Sequence, residues 1–337
     1  MRPPFSVRKL LLPLVPAYRL ALALRELRLR IGLEPVRRLR WPVVSIGSLS
    51  AGGAGKTPLT IAVAQALERR GLRVDVLSRG YGRRSQRPAH VCPDGSAEEF
   101  GDEPLLIARE TAVPVYVAAQ RFEAGLLAEA GRSADLRLGL HLLDDGFQHR
   151  QLHRDVNILL LDGRDGRDSL LPAGNLREPL KAAQRATVIA IPAQDDAPEL
   201  EAALRAWGFA VPIWRLRRTM EVPAVEGPVA AFCGIARPEQ FFAGLEAAGL
   251  HIAARLAFPD HHRYAARDLD RLVIAAREAG ATAFVTTEKD QVRLGMLCAN
   301  FPESLPLKTA VLRVEIEDEE DAIDWLVERA IHGTKAE

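Results

Sequence analysis

From Trp41 the chain reads WPVVSIG, then SLSAGGAGKTP, then LTIAVAQALERRG. A β-branched apolar run, a glycine-rich stretch and a helical run in that order predict a buried parallel strand, a tight loop and a helix. Gly55, Lys56 and Thr57 end the pattern G-x-x-x-x-G-K-[ST], with Ser50 at its first position in place of Gly. The residue types follow from the chemistry of an anion site. Gly52, Gly53 and Gly55 let backbone N–H groups turn toward phosphate oxygens at the positive end of the helix. Lys56 is a cation for the β- and γ-phosphates of a nucleotide, and Thr57 offers a hydroxyl to Mg²⁺.

A second buried-strand pattern, LRLGLHLL over 136–143, ends in Asp144 and Asp145 before GFQH. Carboxylates at the carboxyl tip of a parallel strand face the crevice where doubly wound sheets bind ligands, and in a P-loop protein one of them holds the metal or its water. Further strands are expected over 74–77, 113–117, 156–161, 187–191 and 283–290, and a closing helix over 319–331. Helical or loop stretches between most of the strands predict a parallel sheet covered on both faces. SRGYGR (78–83) suits an exposed anion-binding loop. GDEP (101–104) sets Asp102 and Glu103 before a helix, as catalytic groups or as first-turn charge. The composition resets near residue 220 after a Pro-containing stretch, and the unit beyond holds FPDHHRY (258–264). The adjacent histidines lack a third soft ligand nearby, so a catalytic or hydrogen-bonding role suits them better than metal.

Charge is unevenly placed. Net charge is only +1, yet the first 40 residues carry ten lysines and arginines against Glu26 and Glu34. This excludes a global nucleic-acid binder, and no basic run is interleaved with aromatics. Over 7–31 the chain reads VRKLLLPLVPAYRLALALRELRLRI, where prolines and arginines break every apolar run below the roughly 18 residues of a membrane span. The expectation is an amphipathic helix lying at a membrane interface, the alternatives being a helix packed on the protein's own core with its arginines in solvent or an organelle transit peptide. Cys92, Cys233 and Cys298 are in no metal or disulfide spacing and fit a reducing compartment.

Together GGAGKTP, SRGYGR, GDEP, DDGFQH, LLPAGNLREPL, FCGIARPEQF, FPDHH and TEKD, in this order from residue 52 to 290, resemble one family, the tetraacyldisaccharide 4'-kinases of lipid A biosynthesis. The resemblance implies a P-loop NTPase-like α/β fold, doubly wound and mostly parallel, with a smaller C-terminal α/β lobe: 1–35 the membrane-interface helix, 36–220 the kinase core, 221–337 the lobe. It implies transfer of the ATP γ-phosphate to the 4'-hydroxyl of a tetraacylated glucosamine disaccharide 1-phosphate on the cytoplasmic face of the bacterial inner membrane, with no protein partner evident. Gly52, Gly53, Ala54, Gly55, Lys56, Thr57 and Pro58 match the nucleotide loop. Thr57, Glu103, Asp144 and Asp145 are the metal candidates, and Asp102, His261, Lys56 and Asp145 the catalytic ones. Arg79, Tyr81, Arg121, His149 and Arg177 fall where such kinases contact the lipid head. Whether Asp102 or Asp145 takes the acceptor proton stays open. Ser48 stands where the family usually has Asn. A nucleotide-dependent switch acting on a membrane protein would share the loop, the Asp pair and the basic helix, but would not need SRGYGR, GDEP and DHH to converge.

Overall fold

The computed structural model describes residues 8–131, 139–193 and 197–332. Among them twelve strands form one sheet. In chain order they are β1 Val43–Ser48, β2 Arg73–Ser78, β3 Ala89–His90, β4 Val115–Val117, β5 Gly139–Asp144 and β6 Val156–Leu160, then β7 Val188–Pro192, β8 Ile213–Glu221, β9 Val229–Cys233, β10 Ile252–Ala257, β11 Ala283–Thr287 and β12 Leu307–Ile316. Across the sheet the order is β10-β9-β11-β12-β8-β7-β6-β1-β5-β2-β4-β3. Pairing is parallel on both sides of a seam at which β8 and β12 run antiparallel, Val314 opposite Arg218; the short edge strand β3 is also antiparallel to its neighbour. The doubly wound sheet expected from the alternation is therefore present, and the smaller lobe is a second parallel sheet joined to it through the seam.

The central strands are largely apolar and almost wholly buried because both faces are covered. In β6, Val156, Ile158 and Leu160 enter one core cluster with Val44, Ile46 and Leu59, while Leu159 enters another with Leu49 and Phe147. Gly47 in β1 is required by crowding, since a Cβ there would lie 2.6 Å from the Cβ of Phe147. Chain order and spatial unit part company at the C-terminal end. The boundary expected after residue 220 falls within β8, and the closing helix Glu319–His332 packs Ala322, Ile323, Leu326 and Ala330 into the core around β1 and β6.

Two expected elements differ in extent. The strand expected over 283–290 stops at Thr287, whose hydroxyl accepts from Asp290 N and caps a helix, Glu288–Leu294. TEKD is a cap followed by first-turn acids, a helix start rather than a strand end. Residues 136–138 of the strand expected over 136–143 lie outside the described residues, and β5 begins at Gly139. At the other end, a 3₁₀ turn Lys9–Leu14 leads into the helix Val15–Arg30, with Pro16 in its first turn, where the missing N–H costs nothing.

Candidate active site

A cleft of about 1120 Å³ opens where the strands β1, β2 and β5 end, between the core and the second lobe. Its floor is the loop between β1 and the helix Lys56–Arg69. Gly52, Gly53 and Gly55 have φ of 84°, 68° and 87°, which a side chain would strain. At Gly53 the contact is tight as well, because an added Cβ would come within 2.7 Å of the Arg237 stem. Lys56 Nζ lies 3.6 Å from Asp145 Oδ1 and 3.4 Å from Ser48 Oγ. Ser48, the departure from the family pattern, thus holds the loop lysine and donates to Ser50 O at 2.8 Å. Ala54, Thr57 and Pro58 line the same floor.

The two carboxylates after β5 live in different surroundings. Asp144 is buried and accepts from Thr60 Oγ1 at 3.2 Å and Ser78 Oγ at 3.3 Å. Burial, with Glu103 and Asp145 nearby, pushes it up to about 7. Asp145, at φ 47°, turns to Arg177 at 2.8 and 2.9 Å. Burial works against its charge, but Lys56 and Arg177 outweigh it and hold the pKa below the ordinary value. Among the described residues no group of three or more His, Cys, Asp or Glu could hold a metal alone. The Asp144 carboxylate and the Thr57 hydroxyl are nonetheless hard oxygen donors of the kind Mg²⁺ combines with phosphate oxygens and water.

The GDEP residues and the second lobe meet across the cleft. His261, at φ 59° in the turn after β10, places Nδ1 2.9 Å from Asp102 Oδ2. Arg293 donates to the same oxygen through Nε at 2.7 Å and to Gly234 O. Asp102 is buried; that would raise its pKa, yet the His261 hydrogen bond and the Arg293 charge bring it well below the ordinary carboxylate range. The same hydrogen bond raises His261 against the opposing effect of burial. Glu103, a metal candidate from sequence, is paired with Lys289 at 2.5 Å.

Arg79, Tyr81, Arg121, His149 and Arg177 all line the cleft. The Tyr81 ring lies 5.2 Å from that of His261. Arg121 is buried with Nε unpartnered, and burial lowers its pKa to about 10. Burial and the charges of Arg121, Arg154, Arg25 and Arg79 push His149 down to about 3, so it is a neutral imidazole in a cationic wall. Sequence reasoning missed Arg25, whose guanidinium reaches Gln148 O at 2.5 Å from the N-terminal helix. It missed Lys289 as well, although TEKD contained it, and it missed Arg293, Arg218 and Arg237. Arg237 stands inside FCGIARPEQF, whereas only long-range contacts single out Arg218 and Arg293, the latter 191 residues from Asp102.

Comparison with known proteins agrees with this arrangement. The family model described as tetraacyldisaccharide-1-P 4'-kinase matches residues 7–331. The tetraacyldisaccharide 4'-kinase of Koribacter versatilis is 41% identical, over 94% of this chain and 97% of its own. That of Geobacter metallireducens is 40% identical, over 91% and 98%. The crystal structure of "apo" form LpxK from Aquifex aeolicus in complex with ATP superposes with a TM-score of 0.74 at 33% identity, covering 96% of this chain and 99% of that one. A phosphate loop, an Asp–His pair bridging two lobes and a match of this length have one common explanation: the chain belongs to the tetraacyldisaccharide 4'-kinase family.

Proposed function

We propose that the protein transfers the γ-phosphoryl group of ATP to the 4'-hydroxyl of a tetraacylated glucosamine disaccharide 1-phosphate, giving lipid IVA. One observation carries this reading beyond family membership: Lys56 of the core and His261 of the second lobe line one cleft, and His261 is 2.9 Å from the buried Asp102 of the core. A sugar hydroxyl attacks phosphorus only when its proton has somewhere to go. His261 Nδ1 is engaged by Asp102, which leaves Nε2 as the ring nitrogen to accept that proton. Asp102, kept ionised by Arg293, orients the ring and stabilises the imidazolium that results. As the acceptor oxygen bonds to the γ-phosphorus, the bond to the β-phosphate oxygen breaks, and Lys56 neutralises charge on the departing ADP. Mg²⁺, held by Thr57 and Asp144 together with phosphate oxygens, would supply further charge neutralisation. Asp145 is committed to Arg177 and Lys56, which favours Asp102 and His261 as the proton-handling pair.

The proposed place of action is a membrane surface, on the cytoplasmic side of the inner membrane, and the N-terminal helix supports the surface contact. Two of its charged residues face the protein, Glu26 paired with Arg150 and Arg25 bonded to Gln148, while Arg28 and Arg30 are exposed. Leu20, Leu24, Leu27 and Ile31 are more than half exposed. An apolar stripe turned outward with arginines beside it suits the boundary between headgroups and acyl chains. No helix among the described residues is long and apolar enough to cross a membrane.

The test is phosphate transfer from labelled ATP to tetraacyldisaccharide 1-phosphate in detergent micelles with Mg²⁺. Lipid labelling that Lys56→Ala reduces by at least two orders of magnitude is expected. ATP hydrolysis without lipid labelling would overturn the acceptor and favour a switch.

A further inference from the structure

Two helices far apart in sequence lie over the same face of the sheet. Val15 of the helix Val15–Arg30 and Leu204 of the helix Ala197–Ala206 share one core cluster with Leu159 of β6 and Ile189 of β7. After the second helix, Gly208 at φ 84° turns the chain so that Phe209 returns to that cluster. Trp207, just before the turn, does not follow it inward. Its indole lies over the backbone of Gly166, where an added Cβ would come within 3.1 Å of the ring, and 47% of the residue is exposed. Trp41 and Trp214 are buried and Trp325 packs against the core, so Trp207 is the exposed one among the four tryptophans. Gly166 also lines a crevice of about 280 Å³, shared with Leu12 and Arg19 of the N-terminal segment and with Leu170 and Leu180. Leu10, Leu12 and Leu14 are themselves exposed by half or more. An apolar surface therefore continues from the first helix, past the crevice, to Trp207. Its rim is cationic. Arg19, Arg167 and Lys181 are exposed beside it. The carboxylates at the crevice are turned to internal partners: Asp165 is buried and accepts from Asp162 N, and Asp168 accepts from Ser169 N and Asn175.

We propose that Trp207 is a second anchor on an anionic phospholipid bilayer. The protein then rests on the surface at two places, the leucines of the first helix and this indole, with Arg19, Arg167 and Lys181 against the lipid phosphates between them. This rests on the membrane-surface reading above and adds a place where the core unit itself touches lipid. An indole has an apolar body and one polar edge, which suits the boundary between headgroups and acyl chains, and a ring left half in water has apolar area still to bury. Exposed cations gain from the negative potential of such a surface. A single helix at an interface leaves the molecule free to roll about the helix axis. A contact away from that axis stops the roll and fixes the tilt at which the cleft meets the lipid.

The experiment compares wild type with Trp207→Ala, Trp207→Phe and the double variant Arg167→Gln, Lys181→Gln. Sedimentation with vesicles of phosphatidylglycerol and phosphatidylcholine, and of phosphatidylcholine alone, gives the partition. Quenching of tryptophan emission by lipids brominated near the headgroup end of the chain reports on Trp207, since the other three rings are buried or packed. Trp207→Ala is expected to lower the partition about fivefold and Trp207→Phe by less than about twofold. The double variant should lower it about fivefold or more on the anionic vesicles and leave it unchanged on the neutral ones. Brominated lipid should quench the wild-type emission and leave that of Trp207→Phe unquenched. Tm and phosphate transfer in micelles should stay at wild-type levels in all three variants, while transfer to vesicle-borne acceptor falls with the partition. Wild-type partition by Trp207→Ala, or bound wild type whose emission bromine does not quench, would overturn the second anchor and leave the contact of the first helix standing. Wild type that does not sediment with the vesicles would overturn the membrane-surface reading and the anchor together, so the two failures are distinguishable.

Discussion

His261 reaches Asp102 from a turn whose backbone, at φ 59°, is held in the left-handed region. Such strain in a bulky residue persists only where the surroundings over-determine it, and here it aims one ring nitrogen at a buried carboxylate. The hydrogen bond raises the His261 pKa in the folded protein above the 6.5 of a free imidazole, against burial. A raised folded value means the pair stabilises the fold fully below about pH 6.5 and loses that contribution as pH rises through the folded value. The neutral ring is the form that accepts a proton, so kcat/KM should climb with pH through the same value. Asp102→Asn should lower the His261 pKa in an NMR titration, move the acid limb of the rate profile to lower pH, and reduce kcat by about 10²-fold or more. An unmoved titration would show that the two groups do not act as a pair. Lys56 and Asp144 were legible in the sequence because each follows a strand that announces itself. Arg293 was not, since nothing local in its surroundings refers to a carboxylate 191 residues away.

The N-terminal helix carries apolar residues on two faces, one against the protein and one turned outward. Val15 is its one buried residue among those described, and Tyr18 and Leu22 rest against the cluster around Leu49 and Phe147. Tyr18 OH donates to Arg177 O at 2.8 Å, which ties the helix to the wall of the cleft. Replacing Leu20, Leu24 and Leu27 together with Gln removes apolar surface that contributes nothing to the fold, so Tm should stay within a degree or two. Partition onto anionic vesicles should fall about tenfold or more, and labelling of vesicle-borne lipid should fall with it while micellar activity persists. Equal partition by the variant would refute surface binding through this stripe. That a helix rich in Leu and Arg exists here was readable from 7–31; which side it presents was not, because the periodicity is the same for a stripe turned inward or outward. TEKD shows the converse, a helix start hidden by the β-branched run before it.

At the scale of the whole molecule, the seam between β8 and β12 joins two parallel sheets into one, and the closing helix returns across it to the first. The alternation of strands and helices made the doubly wound class legible, but the seam was not. Antiparallel pairing between strands so far apart in sequence leaves no mark in either strand's composition. Leu326 is fully buried beside Ile323 in the core of the P-loop unit. Leu326→Ala should therefore cost roughly 2–5 kcal/mol and weaken ATP binding at elevated temperature, as measured by denaturant unfolding with and without ATP. A loss confined to the second lobe would contradict the packing. The helix Glu319–His332 is synthesised after every strand it covers, and that order has a cellular consequence. On the ribosome the strands around the phosphate loop wait without one of their walls until this helix has emerged, whereas the leucine stripe of the first helix left the exit tunnel near the start. A nascent chain therefore exposes its leucine stripe well before the sheet around its phosphate loop has gained its last wall.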